Sequence, residues 1–230
     1  MKIVVMGTGG VGGYFGARLA NAGYDVSFIA RGEHLKAIKN NGLKIISELG
    51  DMIIYPAKAS DNPADFEIAD IVLFCVKSYD TESSSNLIKP IVGQNTAVIP
   101  FLNGIGHIEI MQKILGKNPV IGGVAAISAL ISEPGVIQHN SAMQMLKFGE
   151  FNNIISPRIK AFQEACEKSG INNNIPENIE CDIWQKIIMI CTLAGANCIT
   201  RLPLGVCRTN PATRNFMKNL AEEAVEIAKA

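Results

Sequence analysis

Residues 2–16 read KIVVMGTGGVGGYFG. Ile3, Val4, Val5 and Met6 run straight into G-x-G-x-x-G and then into a helical pattern. That is the order in which a buried strand, a phosphate-binding turn and a helix open a dinucleotide-binding fold. Gly7 permits the tight turn, Gly9 lets backbone approach a pyrophosphate, and Gly12 lets the helix that begins there pack closely on the strand. The turn Gly7, Thr8, Gly9, Gly10, Val11 and Gly12 thus presents backbone amides to the phosphates. A second apolar strand at 26–30 supplies the context that a lone glycine motif lacks. A glycine-rich turn with no ligand is the plain alternative.

Arg31 stands just past that second strand, in Ile29-Ala30-Arg31-Gly32-Glu33-His34. A site for NAD usually carries an acid there for the ribose 2′-hydroxyl, whereas an arginine suits a 2′-phosphate, so the sequence favours NADPH/NADP+. Glu33 keeps the hydroxyl reading open, unless it only offsets the dipole of a helix start. His34 reads as a surface residue.

A β-α-β rhythm continues from this opening for about 150 residues. Uninterrupted apolar runs at 3–6, 26–30, 71–76, 97–101 and 120–127 predict strands of a parallel sheet buried on both faces. Helical patterns at 11–22, 33–41, 80–89 and 107–115 separate them. Residues 43–46 and 53–55 predict an inserted hairpin, and 136–139 with 145–148, on either side of Asn140-Ser141, predict another. After an amphipathic helix at 156–169, the polar run 172–178 reads as a linker, and only helical patterns follow, at 179–199 and 211–230. The expected fold class is therefore α/β: a Rossmann-type, mostly parallel sheet domain over 1–177 and a smaller all-helical domain over 178–230. The second stops inside an apolar-periodic helix, which predicts an incomplete domain, an exposed apolar face and self-association, with a homodimer possible.

Lys+Arg and Asp+Glu each total 21, giving zero net charge. No basic field exists to hold nucleic acid or an anionic membrane surface, so neither partner is expected. No uninterrupted apolar run reaches about 18 residues, the lower range of a spanning helix. The six cysteines, Cys75, Cys166, Cys181, Cys191, Cys198 and Cys207, form no C-x-x-C pair and have no histidine at zinc spacing. They read as reduced, mostly packing cysteines of a cytoplasmic protein with no metal site.

Five segments in order resemble the ketopantoate reductase family: the glycine turn with Arg31; Cys75-Val76-Lys77-Ser78; Leu102-Asn103-Gly104-Ile105-Gly106; Glu133-Pro134-Gly135-Val136-Ile137-Gln138-His139; and Ile183-Trp184-Gln185-Lys186. The resemblance covers essentially the whole chain. It implies NADPH-dependent reduction of 2-dehydropantoate to (R)-pantoate, a small 2-keto acid substrate, and a place in pantothenate and coenzyme A formation. It also implies that Lys77 joins Arg31 near the adenosine phosphate, that Asn103 contacts both nicotinamide and substrate, and that Ala129 offers a backbone contact to the cofactor. The bland alternatives are a solvated strand-end lysine for Lys77 and an Asn-Gly turn former for Asn103.

Lys186 carries the implied catalysis. Hydride addition to a ketone leaves charge developing on oxygen, and a positioned ammonium can stabilise and then neutralise it. Desolvation in a cleft would lower its pKa toward working pH; an exposed helix lysine is the bland reading. This chain also departs from the family. Ile190 and Ala194 occupy positions where the family has substrate-binding asparagines, leaving Asn197 as a possible substitute. The family's later serine and glutamate would follow residue 230. A non-catalytic NADP-binding module, or a reductase of another small 2-keto acid, therefore stays open beside the first reading.

Overall fold

The computed structural model describes residues 1–229. Its elements run β1 (Lys2–Met6), α1 (Gly10–Asn21), β2 (Asp25–Ile29), α2 (Gly32–Asn41), β3 (Leu43–Ser47), β4 (Met52–Ile54), β5 (Lys58–Ser60), β6 (Ala69–Phe74), α3 (Thr81–Leu87), β7 (Val92–Pro100) and α4 (Gly106–Leu115). They continue with β8 (Gly122–Glu133), β9 (Val136–Gly149), α5 (Pro157–Lys168), β10 (Asn172–Asn174), α6 (Ile179–Thr200), α7 (Leu204–Thr209) and α8 (Pro211–Lys229). Two compact units result. One comprises Met1–Leu102 and Gly106–Ile179, the other Asn103–Ile105 and Glu180–Ala230.

The first unit carries the Rossmann-type parallel sheet, in the order β5-β2-β1-β6-β7. Alternation along β1 explains its apolar run. Ile3 and Val5 join a core with Tyr14, Phe15 and Leu19 of α1, while Val4 and Met6 join a second core with Met111 of α4. With both faces covered, every position from Ile3 to Met6 must be apolar. Each such side chain contributes about 1.5–3 kcal/mol relative to exposure.

A second sheet, β10-β9-β3-β4 with β8 added to β9, lies on the other side of α1, which packs against strands of both sheets. Here the expected topology is corrected. The run at 120–127 is not a fifth parallel strand: Val120 makes one parallel bridge to Val98, and the chain then enters β8, antiparallel to β9. Nor is Asn140-Ser141 a hairpin turn. The turn is Pro134-Gly135, with Gly135 at φ +83°, and Asn140 to Met143 form a bulge between the pairs Ala129–His139 and Ile127–Gln144. The Asn-Ser signal marks a break in pairing rather than a reversal. The polar run at 172–178 is partly strand, since Asn172–Asn174 pairs with Met145–Lys147. The β3–β4 hairpin forms as expected, and the Lys-Ala-Ser strand β5 carries no apolar signal.

Arg158, at the start of α5, fastens this unit. Its guanidinium donates to both oxygens of Glu150, to the Thr96 carbonyl of β7 at 3.0 Å and to the Asn118 carbonyl at 2.7 Å. Burial pushes the Glu150 carboxyl up, but hydrogen bonds from Arg158 and Ser156 outweigh it, and its pKa lies below the usual value.

The second unit is helical. Gly195 of α6 lies against Leu220 of α8, and Ala196 and Cys207 are fully buried. Three cysteine readings change: Cys181, Cys191 and Cys198, all on α6, are exposed rather than packing. Counted over a window rather than as an uninterrupted run, α6 is long and apolar enough to cross a membrane; it is the one such helix among the described residues.

Candidate active site

At the carboxyl ends of β1, β2 and β6 lies a cavity of about 510 Å³. Gly7, Thr8, Gly9, Arg31 and Lys77 line it, together with His34, Asp61 and Asp80. Ligands of open α/β sheets bind at such strand ends, where the chain turns back into helices and leaves a crevice.

Each glycine of the turn has a physical reason. Gly7 has φ +96°, and an added Cβ would meet the Cys75 carbonyl oxygen at 2.9 Å. Gly12 would place a Cβ 2.3 Å from the Gly7 oxygen, so the first turn of α1 can lie on β1 only without a side chain. The helix begins at Gly10, with Gly9 as its cap, one residue earlier than the sequence pattern indicates. Gly10 abuts β8, where a Cβ would fall 2.2 Å from the Ala129 oxygen. Around the Cβ position of Gly9 nothing lies within 4 Å. The open face is therefore at Gly9, where the fingerprint requires room for a pyrophosphate; the residues fit the group. Thr8 is pinned beneath it, its amide and hydroxyl both donating to the Ile29 carbonyl, at 3.0 and 2.9 Å.

Arg31 caps α2, and its guanidinium donates to Asp80 at 2.8 Å. Its side chain is 80% exposed, against 24% for Asp80. Lys77 starts the short 3₁₀ turn that ends at Asp80. Two cations thus line the cavity, one of them held by an acid. Sequence reading missed Asp80; an acid three residues after Lys77, on the same turn, was the available signal. It also missed His34, which is half-buried in the cavity wall and hydrogen-bonded through both ring nitrogens. That corrects the surface reading.

Not every candidate lines the cavity. Val11 packs its side chain on the core of the first unit, leaving only its backbone at the turn. Ala129 lies behind Gly10, on β8. Asn103 is exposed on the connection after β7 and falls in the second unit, as do Lys186 and Asn197 on α6. Lys186 is partly buried, and that burial holds its pKa below 10.5. Ile190, partly buried, and Ala194, exposed, follow it one and two turns later. Asn197 is on the same helix face as Lys186 but three turns on, about 16 Å along the axis at 1.5 Å per residue. That separation is longer than a small keto acid. The Asn197 Oδ1 is buried without a hydrogen-bond partner among the described residues. No group of three or more metal-ligating His, Cys, Asp or Glu side chains occurs among those residues.

Comparison with known proteins agrees over the full length. The family model described as Ketopantoate reductase PanE/ApbA matches residues 3–153, and that described as Ketopantoate reductase PanE/ApbA C terminal matches 178–230. An uncharacterized oxidoreductase of Bacillus subtilis, YkpB, is 34% identical over 229 residues, covering 100% of this chain and 75% of the relative. A 2-dehydropantoate 2-reductase of Pyrococcus horikoshii is 30% identical over 228 residues, covering 99% and 73%. Among solved structures, the crystal structure of 2-dehydropantoate 2-reductase from Porphyromonas gingivalis W83 is similar at a TM-score of 0.94 and 35% identity. That likeness covers 100% of this chain and 82% of the other.

Proposed function

This chain belongs to the ketopantoate reductase family of oxidoreductases, and from that premise we propose that it reduces 2-dehydropantoate to (R)-pantoate with NADPH. One observation carries the reading: the cavity that gathers the glycine turn, Arg31 and Lys77 at the strand ends, with its open face at Gly9. That combination suits a dinucleotide, with turn amides for the pyrophosphate and two cations for a 2′-phosphate. The planar Arg31 guanidinium can donate to two oxygens of a phosphate at once, which a single ribose hydroxyl cannot match, and this supports NADPH over NADH.

Bound NADPH would supply a hydride to the keto carbon. As that C–H bond forms, the carbonyl π pair moves onto oxygen, and the Lys186 ammonium donates a proton to it, becoming a neutral amine that regains a proton from solvent. Partial burial of Lys186 favours this role, because a lowered pKa brings the ammonium closer to the pH at which it gives up a proton readily. Asn103, an amide with both donor and acceptor, would hold the carbonyl in place.

A second reading concerns the substrate. Ile190 and Ala194 present apolar surface one and two turns beyond Lys186. They favour a 2-keto acid with fewer polar groups to be bound there. Steady-state NADPH oxidation tests both, with 2-dehydropantoate and a series of aliphatic and aromatic 2-keto acids in parallel. The first reading expects the highest kcat/KM for 2-dehydropantoate. A higher value for an apolar 2-keto acid moves the assignment to the second, and no turnover of any with NADPH bound leaves a binding module.

A further inference from the structure

His34 has two hydrogen-bond partners, both backbone groups far away in sequence. Its Nε2 lies 2.8 Å from the Thr8 carbonyl oxygen, in the middle of the glycine turn. Its Nδ1 receives the Gly135 amide at 2.9 Å, from the turn joining β8 to β9. The chemistry of these partners fixes the ring. A backbone N–H only donates, so Nδ1 must carry a lone pair; a carbonyl only accepts, so Nε2 must carry the hydrogen. Only the neutral Nε2–H tautomer satisfies both. Protonation would set an N–H at Nδ1 against the Gly135 N–H, donor facing donor.

Three parts of the first unit meet at this ring. Thr8 has its amide and hydroxyl committed to Ile29, so His34 completes its polar contacts by taking the carbonyl. Gly135 is packed against α2, where an added Cβ would meet Ala37 at 3.0 Å, and its own oxygen accepts from the Lys44 amide. His34 also lies in the first turn of the helix that Arg31 caps. We infer that His34 is a positioning residue for the cofactor: a neutral imidazole clamp that fixes the glycine turn, the start of α2 with Arg31, and the β8–β9 turn in one arrangement. The inference rests on reading the cavity as the dinucleotide site.

Burial holds the imidazole pKa below 6.5, against an opposing pull from the Thr8 carbonyl. The ionisable groups about it are Arg31, Glu33 and Lys36 on or beside α2, Asp61 after β5, Cys75, Lys77 and Asp80 after β6, and Glu133 before the Gly135 turn. The two ring nitrogens bond to backbone instead. The clamp is complete above the ordinary histidine pKa and is lost as pH falls through the lower folded value, where the ring charges.

Two measurements test this on the full chain. The first needs no cofactor: ¹⁵N spectra of the imidazole should show a neutral Nε2–H ring at pH 8, and a neutral Nδ1–H ring would overturn the clamp. The second is NADPH affinity at pH 8 and below for the unaltered protein, His34→Gln and His34→Leu. Glutamine can accept from Gly135 and donate to Thr8 but does not titrate in this range. At pH 8, His34→Leu should weaken binding about tenfold, the scale of two lost hydrogen bonds, while His34→Gln stays within about threefold. Where the ¹⁵N spectra show the imidazole charged, the unaltered protein should have lost more affinity than His34→Gln. An unchanged His34→Leu, a His34→Gln as weak as it, or identical pH losses once the ¹⁵N spectra show the ring charged would each overturn the proposal. If His34→Leu does not fold, the tautomer and the glutamine comparison still decide. Failure of the unaltered protein to bind either dinucleotide would count against the cavity reading instead, and the tautomer would then decide the clamp by itself.

Discussion

Arg31 and Lys186 are the single side chains on which the proposed function makes its sharpest demands. The Arg31 guanidinium is exposed and already bonded to Asp80, so a 2′-phosphate must displace or share that carboxylate. The net gain is then near the lower end for a charge-assisted hydrogen bond. Arg31→Ala should weaken NADPH by about 1.5 kcal/mol and leave NADH nearly unchanged, as measured by cofactor fluorescence titration. Equal affinity of the unaltered protein for the two cofactors would sink the NADPH assignment. Lys186 sets a pH dependence. The donor is the ammonium, so kcat should fall as pH rises through its pKa, and burial places that limb below 10.5. A Lys186→Ala protein that keeps the same alkaline limb would put the proton donor elsewhere. Both residues were singled out from the sequence, Arg31 from its place after a strand, which the structure puts in the cavity wall, and Lys186 through family resemblance. His34 was not, because its partners are backbone groups 26 and 101 residues away, and a backbone group leaves no mark in sequence.

Elements were legible where both faces of a strand are buried and illegible where pairing is decided at long range. β1, α1 and β2 follow from an apolar run and glycines whose Cβ positions are occupied by backbone, constraints that act over short stretches of chain. The segment at 120–133 has the same apolar character in either sheet, and only its pairing with β9 determines that it leaves the parallel sheet after Val120. Arg158 shows what holds such elements together, since it bonds β7, the segment before β8 and the loop before α5 at once. Arg158→Leu would strand Glu150 and two carbonyls in a site where both charged side chains are under one-fifth exposed. It should cost about 3 kcal/mol in urea unfolding, the scale for breaking a buried pair. The Glu150 pKa is lowered, so its stabilisation is full above 4.5 and is lost as pH falls through the folded value. A loss below about 0.5 kcal/mol would show the network to be no stronger than a surface pair.

At the scale of the molecule, the proposed function assigns cofactor binding to the first unit and proton donation to Lys186 in the second. Substitutions should therefore divide cleanly: changes in the cavity alter NADPH affinity, and changes at Lys186 alter turnover. Binding energy realised only in the transition state appears in kcat, which separates the two. The decisive measurement is kcat for NADPH oxidation with 2-dehydropantoate by the unaltered protein and by Lys186→Ala, alongside NADPH affinity for both. Expected are turnover by the first, a fall in kcat of about 10²- to 10⁴-fold in the second, and NADPH affinities that agree within about twofold. Undiminished turnover by Lys186→Ala, or none by an unaltered protein saturated with NADPH, would contradict this division of roles.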